Sequence, residues 1–333
     1  FETAGASLPV FFMYQVILAV IEVITIIVYF HSNLPDTGRA AKFSWAALRG
    51  VGLFAGSIAV TSGLWLLITQ ADRFVLSSTL LLSDFAVYNL AITAAFVVGL
   101  FSEPVSRVIM PRMTSLFSQN RNQEMIQLYR QATQCVVVLT TAITGTLVVY
   151  SEPVVYAWTG RQDLAAAASP ILRWYALGNG ILNLLAFQYY LQFACGQLKY
   201  HLRFHIAAAI LWLPAVSFVA VRYGAIGTGK LWSLLQLITF VCWTWYIHQK
   251  FVPGLHGRWL KEDVLPVVFT SSAVLAGLQY LFPDFVEFSR LQCLSASAII
   301  FTALFLTGAL TSGFCREQLL MYACKRKLTN GPT

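Results

Sequence analysis

Residues 8–30 read LPVFFMYQVILAVIEVITIIVYF, 23 positions with one charged residue, Glu22. As an α-helix this run is about 35 Å long, enough to cross a hydrocarbon core about 30 Å thick. A helix that is apolar on every side belongs in a membrane or deep in a large core. Working outward from it, eight further runs of similar length follow, at 51–71, 84–110, 131–157, 170–194, 203–221, 228–249, 264–282 and 291–312. Inside lipid only helices and closed barrels satisfy the backbone, and runs this long are helices. The expected fold class is therefore all-α: a polytopic membrane helical bundle of about nine transmembrane helices. Composition agrees, with 58% hydrophobic and 11% charged residues and a mean hydropathy of +0.68. Soluble domains run about 45–50% apolar and about 25% charged. An ordinary soluble enzyme, a disordered tail and a nucleic-acid binder are excluded, and the net charge of +8 sits between apolar runs.

The basic residues are not shared evenly between the two sets of connections. Sixteen of 22 Lys and Arg fall in one alternating set: 31–50, 107–130, 199–203, 250–261 and the tail from Arg316 to Lys327. Six fall in the other, including Arg73, Arg161, Arg222 and Arg290. The positive-inside rule then makes the C-terminus cytoplasmic and puts Phe1 outside. Phe1 reads as an internal position of a longer protein, because no basic region, short apolar core and cleavage site precede the first span. Residues 38–50, with Phe43, Trp45 and Leu48 among basic residues, read as an interfacial segment. Residues 113–130 read as a short amphipathic surface helix on the same side.

Two motifs resemble chemistry they do not carry. Gly224 to Lys230 reads GAIGTGK, but Leu231 stands where a phosphate-binding loop needs Ser or Thr, and the turn faces outward. His201 and His205 share a helix face but lack further ligands nearby in sequence, so they read as interfacial, solvated histidines rather than a metal site. Cys135, Cys195, Cys242, Cys293, Cys315 and Cys324 form no C-x-x-C pair and read as packing thiols. No catalytic constellation, metal set or cofactor signature is expected.

The informative residues are the polar ones inside the spans, each costing about 2.5–3.5 kcal/mol on insertion scales. Glu22 lies mid-span. Asp72 and Arg73 are embedded in apolar sequence, and Glu103 and Arg107 have the spacing of a helical ion pair, next to Pro104, which is expected to kink its span. Asn89 sits on the same span. Arg173, Asn179 and Asn183 polarise the fifth run, where Gly178 and Gly180 permit close packing. A water-filled interior lined by cations and amides explains these residues together, as a path for a polar, anionic substrate. Interhelical hydrogen bonding is the plainer explanation for any one of them.

At these residues the chain resembles the lipid-linked polysaccharide flippases of the multidrug/oligosaccharidyl-lipid/polysaccharide exporter superfamily. The resemblance rests on Asp72-Arg73-Phe74-Val75-Leu76-Ser77, on Tyr88-Asn89-Leu90-Ala91, and on Pro104, Arg107 and Met110-Pro111-Arg112 leading to Leu128-Tyr129-Arg130. Cys195-Gly196-Gln197-Leu198-Lys199 and Tyr223-Gly224-Ala225-Ile226-Gly227 match two family turns, the second accounting for the false phosphate loop. Ala86-Val87-Tyr88 and Ser78 depart from the usual Gly-Tyr-Tyr and Lys.

The resemblance implies two six-helix lobes. Residues 1–45 would hold the last helix of an incomplete first lobe and the inter-lobe linker, 46–250 the second lobe, and 251–333 two additional helices with a basic tail. It implies alternating-access transport of a polyprenyl-pyrophosphate-linked glycan from the inner to the outer leaflet of a bacterial inner membrane, with membrane lipids as neighbours and a proton or sodium ion as coupling partner. Arg73 and Arg107 would meet the pyrophosphate in fork geometry. Arg173, Asn89, Asn179 and Asn183 would complete the substrate site, with Glu22, Asp72 and Glu103 as ion-coupling or structural charges. The alternatives are a cation-coupled drug or metabolite antiporter of the same superfamily and, from another class, a membrane glycan polymerase or ligase.

Overall fold

A computed structural model describes residues 8–33, 44–100, 103–281, 288–319 and 321. Residues 34–43 of the 31–50 linker, residues 282–287 and the tail beyond Met321 lie outside the described residues. The described residues form helices and no strand. In order they are α1 (Leu8–Asn33), α2 (Trp45–Thr79), α3 (Leu82–Leu100), α4 (Glu103–Ser118), α5 (Asn122–Val149), α6 (Ser151–Thr159) and α7 (Gln162–Ala194). Then come α8 (Lys199–Ile238), a π-helical turn (Thr239–Trp243), α9 (Thr244–Phe251), α10 (Leu255–Arg258), a second π turn (Trp259–Val264), α11 (Leu265–Leu281) and α12 (Arg290–Thr311). Six stretches among the described residues are long and apolar enough to cross a membrane. One of them, Lys199–Phe251, contains two of the expected spans. The protein is a multi-pass, all-α membrane bundle.

The chain divides into two compact units, 1–55 and 56–333. In the first, α1 exposes every side chain described, from Pro9 to Asn33. An apolar helix with no buried face suits lipid or another membrane helix.

The second unit is built around α7, which packs against α3, α4, α5, α6 and α8. Its glycines decide how closely. A Cβ on Gly178 would lie 2.4 Å from Trp232 Cδ1, and one on Gly180 would lie 2.5 Å from Thr144 Oγ1. The sequence expectation of close approach at these two positions is met, and bare backbone is what lets α5 and α8 lie against α7. Gly180→Leu is therefore expected to force α5 off α7 at a cost of about 1–3 kcal/mol. Thermal unfolding in detergent checks this, and a melting temperature equal to wild type would refute the packing argument.

Some helix boundaries differ from the sequence reading. The third expected span is described as α3 and α4, and residues 101–102 between them lie outside the described residues. The kink expected at Pro104 abuts that gap, and Leu82–Ser118 as a whole is long and apolar enough to cross a membrane. The amphipathic stretch 113–130 is no separate surface helix, because it is divided between the end of α4 and the start of α5. Of the expected interfacial segment 38–50, residues 38–43 lie outside the described residues, and the helix begins at Trp45, six residues before the expected span, as part of the 35-residue α2. Gly224, by contrast, breaks α8 at the turn expected between the two spans, adopting φ 61°, ψ −157°, a conformation open only to glycine.

Side-chain bonds join connections that the basic-residue count placed on the same side. Arg290 Nε and Nη2 donate to the carbonyls of Ala157 and Trp158 at the end of α6, each at 2.8 Å. At the other end, Gln134 accepts from Ser312 Oγ and the Phe314 N–H. Cys135 and Cys315 meet there too, with sulfurs 3.9 Å apart. Ser289 and Gln292 form a reciprocal capping box that starts α12.

Candidate functional site

A cleft of about 540 Å³ lies between α2, α3, α7 and α8. Helix α2 contributes Thr61, Ser62 and Trp65, and α3 contributes Phe96 and Gly99. From α7 come Asn183, Gln188 and Tyr189, and from α8 His201, Phe204, His205 and Gln236. Among the described residues Glu103 is its one carboxylate, and no Lys or Arg lines it. The wall is thus apolar and aromatic, with amides and imidazoles set into it, the character of a ligand cleft.

The histidines correct the sequence reading. They are not solvated: His201 is 9% and His205 6% exposed, with ring centroids 4.1 Å apart. Tyr189 packs 4.6 Å from His201, and Trp65 lies 5.8 Å from His205. The signal was present in the spacing, since H-x-x-x-H sets both rings on one face. Nearness to the basic end of the helix was mistaken for access to water.

Of the residues singled out from sequence, Asn183 and Glu103 line this cleft. Asn183 Nδ2 donates to Val98 O at 3.0 Å, tying α7 to α3. Glu103 accepts from Arg107 Nη2 at 2.7 Å, the pair expected from the spacing, with Arg107 77% exposed. Arg107 therefore stands at the rim. Asn179 is engaged twice, donating to Ala95 O and accepting from Trp232 Nε1, both at 3.0 Å. Asn89 donates to Phe85 O on its own helix. Arg173 Nε donates to Ser151 Oγ at 2.8 Å, linking α7 to α6. Glu22 is exposed on α1, in the other unit.

Asp72 and Arg73 part company. Asp72 is buried and accepts the Tyr175 hydroxyl proton at 2.5 Å, while Thr228 Oγ1 lies 3.0 Å from the same hydroxyl. The bonds join α2, α7 and α8, and the buried Tyr88 ring packs edge-on to Tyr175 at 6.0 Å. Arg73 is half-buried and donates to Gln70 Oε1 at 3.0 Å. Neighbours on the chain thus point to different places, the acid into the bundle and the base along α2. At the turn before α7, Arg161 hydrogen-bonds Asp163 and holds its carboxyl below the usual range.

A second buried network was not anticipated. Tyr129 OH lies 2.7 Å from His248 Nε2, and His248 Nδ1 lies 3.1 Å from His256 Nδ1. Beside it Arg130 grips Asp263, and Trp259 Nε1 donates to Thr133 Oγ1. It fastens α5 to the π turn before α11.

Comparison with known proteins agrees with the motifs. Residues 10–168 match the model of a family described as "Polysaccharide biosynthesis protein". A curated protein of Shigella flexneri named "Putative O-antigen transporter" is 20% identical over 231 residues, 68% of this chain and 53% of that protein. The chain thus spans about half the length of that relative. No solved structure matches. The two matches support the polysaccharide biosynthesis and flippase family that the motifs resemble.

Proposed function

We propose that the intact protein moves a polyprenyl-pyrophosphate-linked oligosaccharide from the inner to the outer leaflet of a bacterial inner membrane, by alternating access. The observation that carries this reading is the cleft between α2, α3, α7 and α8, whose polar and aromatic lining opens inside an otherwise apolar bundle. A hydrophobic protein gains nothing in stability from leaving amides and imidazoles around an open space. Residues 46–250 act as one lobe, residues 251–333 add two helices, and the C-terminus is cytoplasmic.

In this orientation Arg107 stands near the inner leaflet and Arg73, six residues before the end of α2, near the outer one. The two guanidiniums would receive the pyrophosphate at opposite stages of transport. No catalytic step is assigned, and the name of the Shigella protein as a transporter supports that choice.

The test is to delete the intact gene and ask which leaflet holds undecaprenyl-pyrophosphate-linked glycan. Accumulation on the cytoplasmic leaflet with loss of surface polysaccharide is the expected result. Normal lipid-linked glycan and normal surface polysaccharide would favour the drug-antiporter reading. Glycan stranded on the outer leaflet would mean a later enzymatic step, and this proposal would fail.

A further inference from the structure

The cleft separates the parts of the proposed substrate. His201, His205 and Gln236 project from α8 into it, and each is at least nine-tenths buried. Each imidazole has its Nδ1 sealed in protein without a hydrogen-bond partner, leaving Nε2 as the nitrogen through which the ring meets a ligand. Among the described residues no hydrogen bond holds the Gln236 amide. These groups are neutral donors and acceptors, built to bond hydroxyls.

Two other ligand classes fit poorly. A transition metal asks for three or four ligands, and among the described residues no group of three His, Cys, Asp or Glu comes together. An anion asks for cations, and among the described residues the lining has none, with Glu103 adding a negative charge. Flat aromatic faces complete the surface: Trp65 and Tyr189 lie against the imidazoles, and Phe204 stacks on Trp243 at 4.4 Å. A sugar ring offers what this surface takes, hydroxyls around its edge and C–H groups on its faces.

Resting on the transport reading, we infer that the cleft binds uncharged sugar residues of the substrate through His201, His205 and Gln236, and that the pyrophosphate stays outside it, at the Arg107 rim. The protein thus recognises glycan and carrier by separate surfaces.

The test uses purified full-length protein in detergent and two probes: oligosaccharide freed of lipid and phosphate from the cell's own lipid-linked fraction, and geranyl pyrophosphate. Binding is read by calorimetry for wild type, for the double variant His201→Leu/His205→Leu, and for Gln236→Leu, each first shown to melt cooperatively. Glycan affinity is expected to fall at least about tenfold in either variant, because a site built for hydroxyls loses much when its partners go. Pyrophosphate affinity is expected to stay within about twofold. Glycan affinity unchanged in both variants, or pyrophosphate affinity falling with it, overturns the inference. A flipping assay in vesicles run alongside separates the two failures. Active wild type with unaffected glycan binding in the variants defeats this inference alone, whereas inactive wild type defeats the transport reading beneath it.

Discussion

Replacing Arg130 with Ala is expected to cost about 3–5 kcal/mol of stability, the usual result of removing one partner from a buried ion pair. Asp263 is fully buried, and Arg130 meets both of its oxygens, Nε to Oδ2 at 2.7 Å and Nη2 to Oδ1 at 3.0 Å. The same guanidinium reaches Glu262 at 2.6 Å. Without it the Asp263 carboxylate keeps one described side-chain donor, Gln134 Nε2 at 2.7 Å. Arg130→Lys keeps the charge but loses the fork, so it should fall between Ala and wild type. The double variant Arg130→Met/Asp263→Leu should recover most of the loss, since it removes the stranded charge. Melting temperatures of the four proteins in detergent decide the matter. A wild-type melt for Arg130→Ala would mean that the carboxylate finds water or another cation.

The second large effect is on transport. Arg107→Ala should reduce export of surface polysaccharide about tenfold to a hundredfold, the worth of a charge-assisted hydrogen bond of about 1.5–3 kcal/mol. Membrane insertion should be unaffected, because the side chain is 77% exposed. The same change also strands Glu103, so the double variant Glu103→Gln/Arg107→Ala is the informative control. If Arg107 binds the pyrophosphate, export stays low in the double variant. If it only neutralises Glu103, export returns. Arg73→Ala should lower export by a similar factor, and full export in both single variants would remove pyrophosphate binding from these residues.

Much of this fold is legible from hydropathy alone, because a bilayer imposes one length on every span and one element on every segment. Residues 8–30, 203–221 and 291–312 announce their helices in that way. The breaks are harder to see. Gly224 is visible as a glycine but not as a residue at positive φ. The site was half legible. Asn183 and the Glu103–Arg107 pair stand out as polar residues where lipid is expected, and they lie at the cleft or its rim. His201 and His205 show in their spacing but not in their burial, and Gln236 not at all, since a polar residue near a helix end looks the same whether it faces water or a neighbouring helix. The Tyr129–His248 contact spans 119 residues, and no local pattern predicts a partner so distant.

The centrality of α7 carries a cost during synthesis. It is 33 residues long, yet it is not among the six described stretches apolar enough to enter lipid unaided. Arg173, Asn179, Asn183, Gln188 and Gln192 make it a poor client for insertion alone. Its amides acquire partners from both directions of the chain: Ala95 and Val98 have already been made when α7 emerges, whereas Trp232 has not. Biogenesis therefore has an order. The helix that organises the finished bundle meets α3, α4, α5 and α6 as it emerges and gains its bond to Trp232 only when the second half of α8 arrives. A nascent chain stopped before Trp232 leaves the centre of the molecule unfinished.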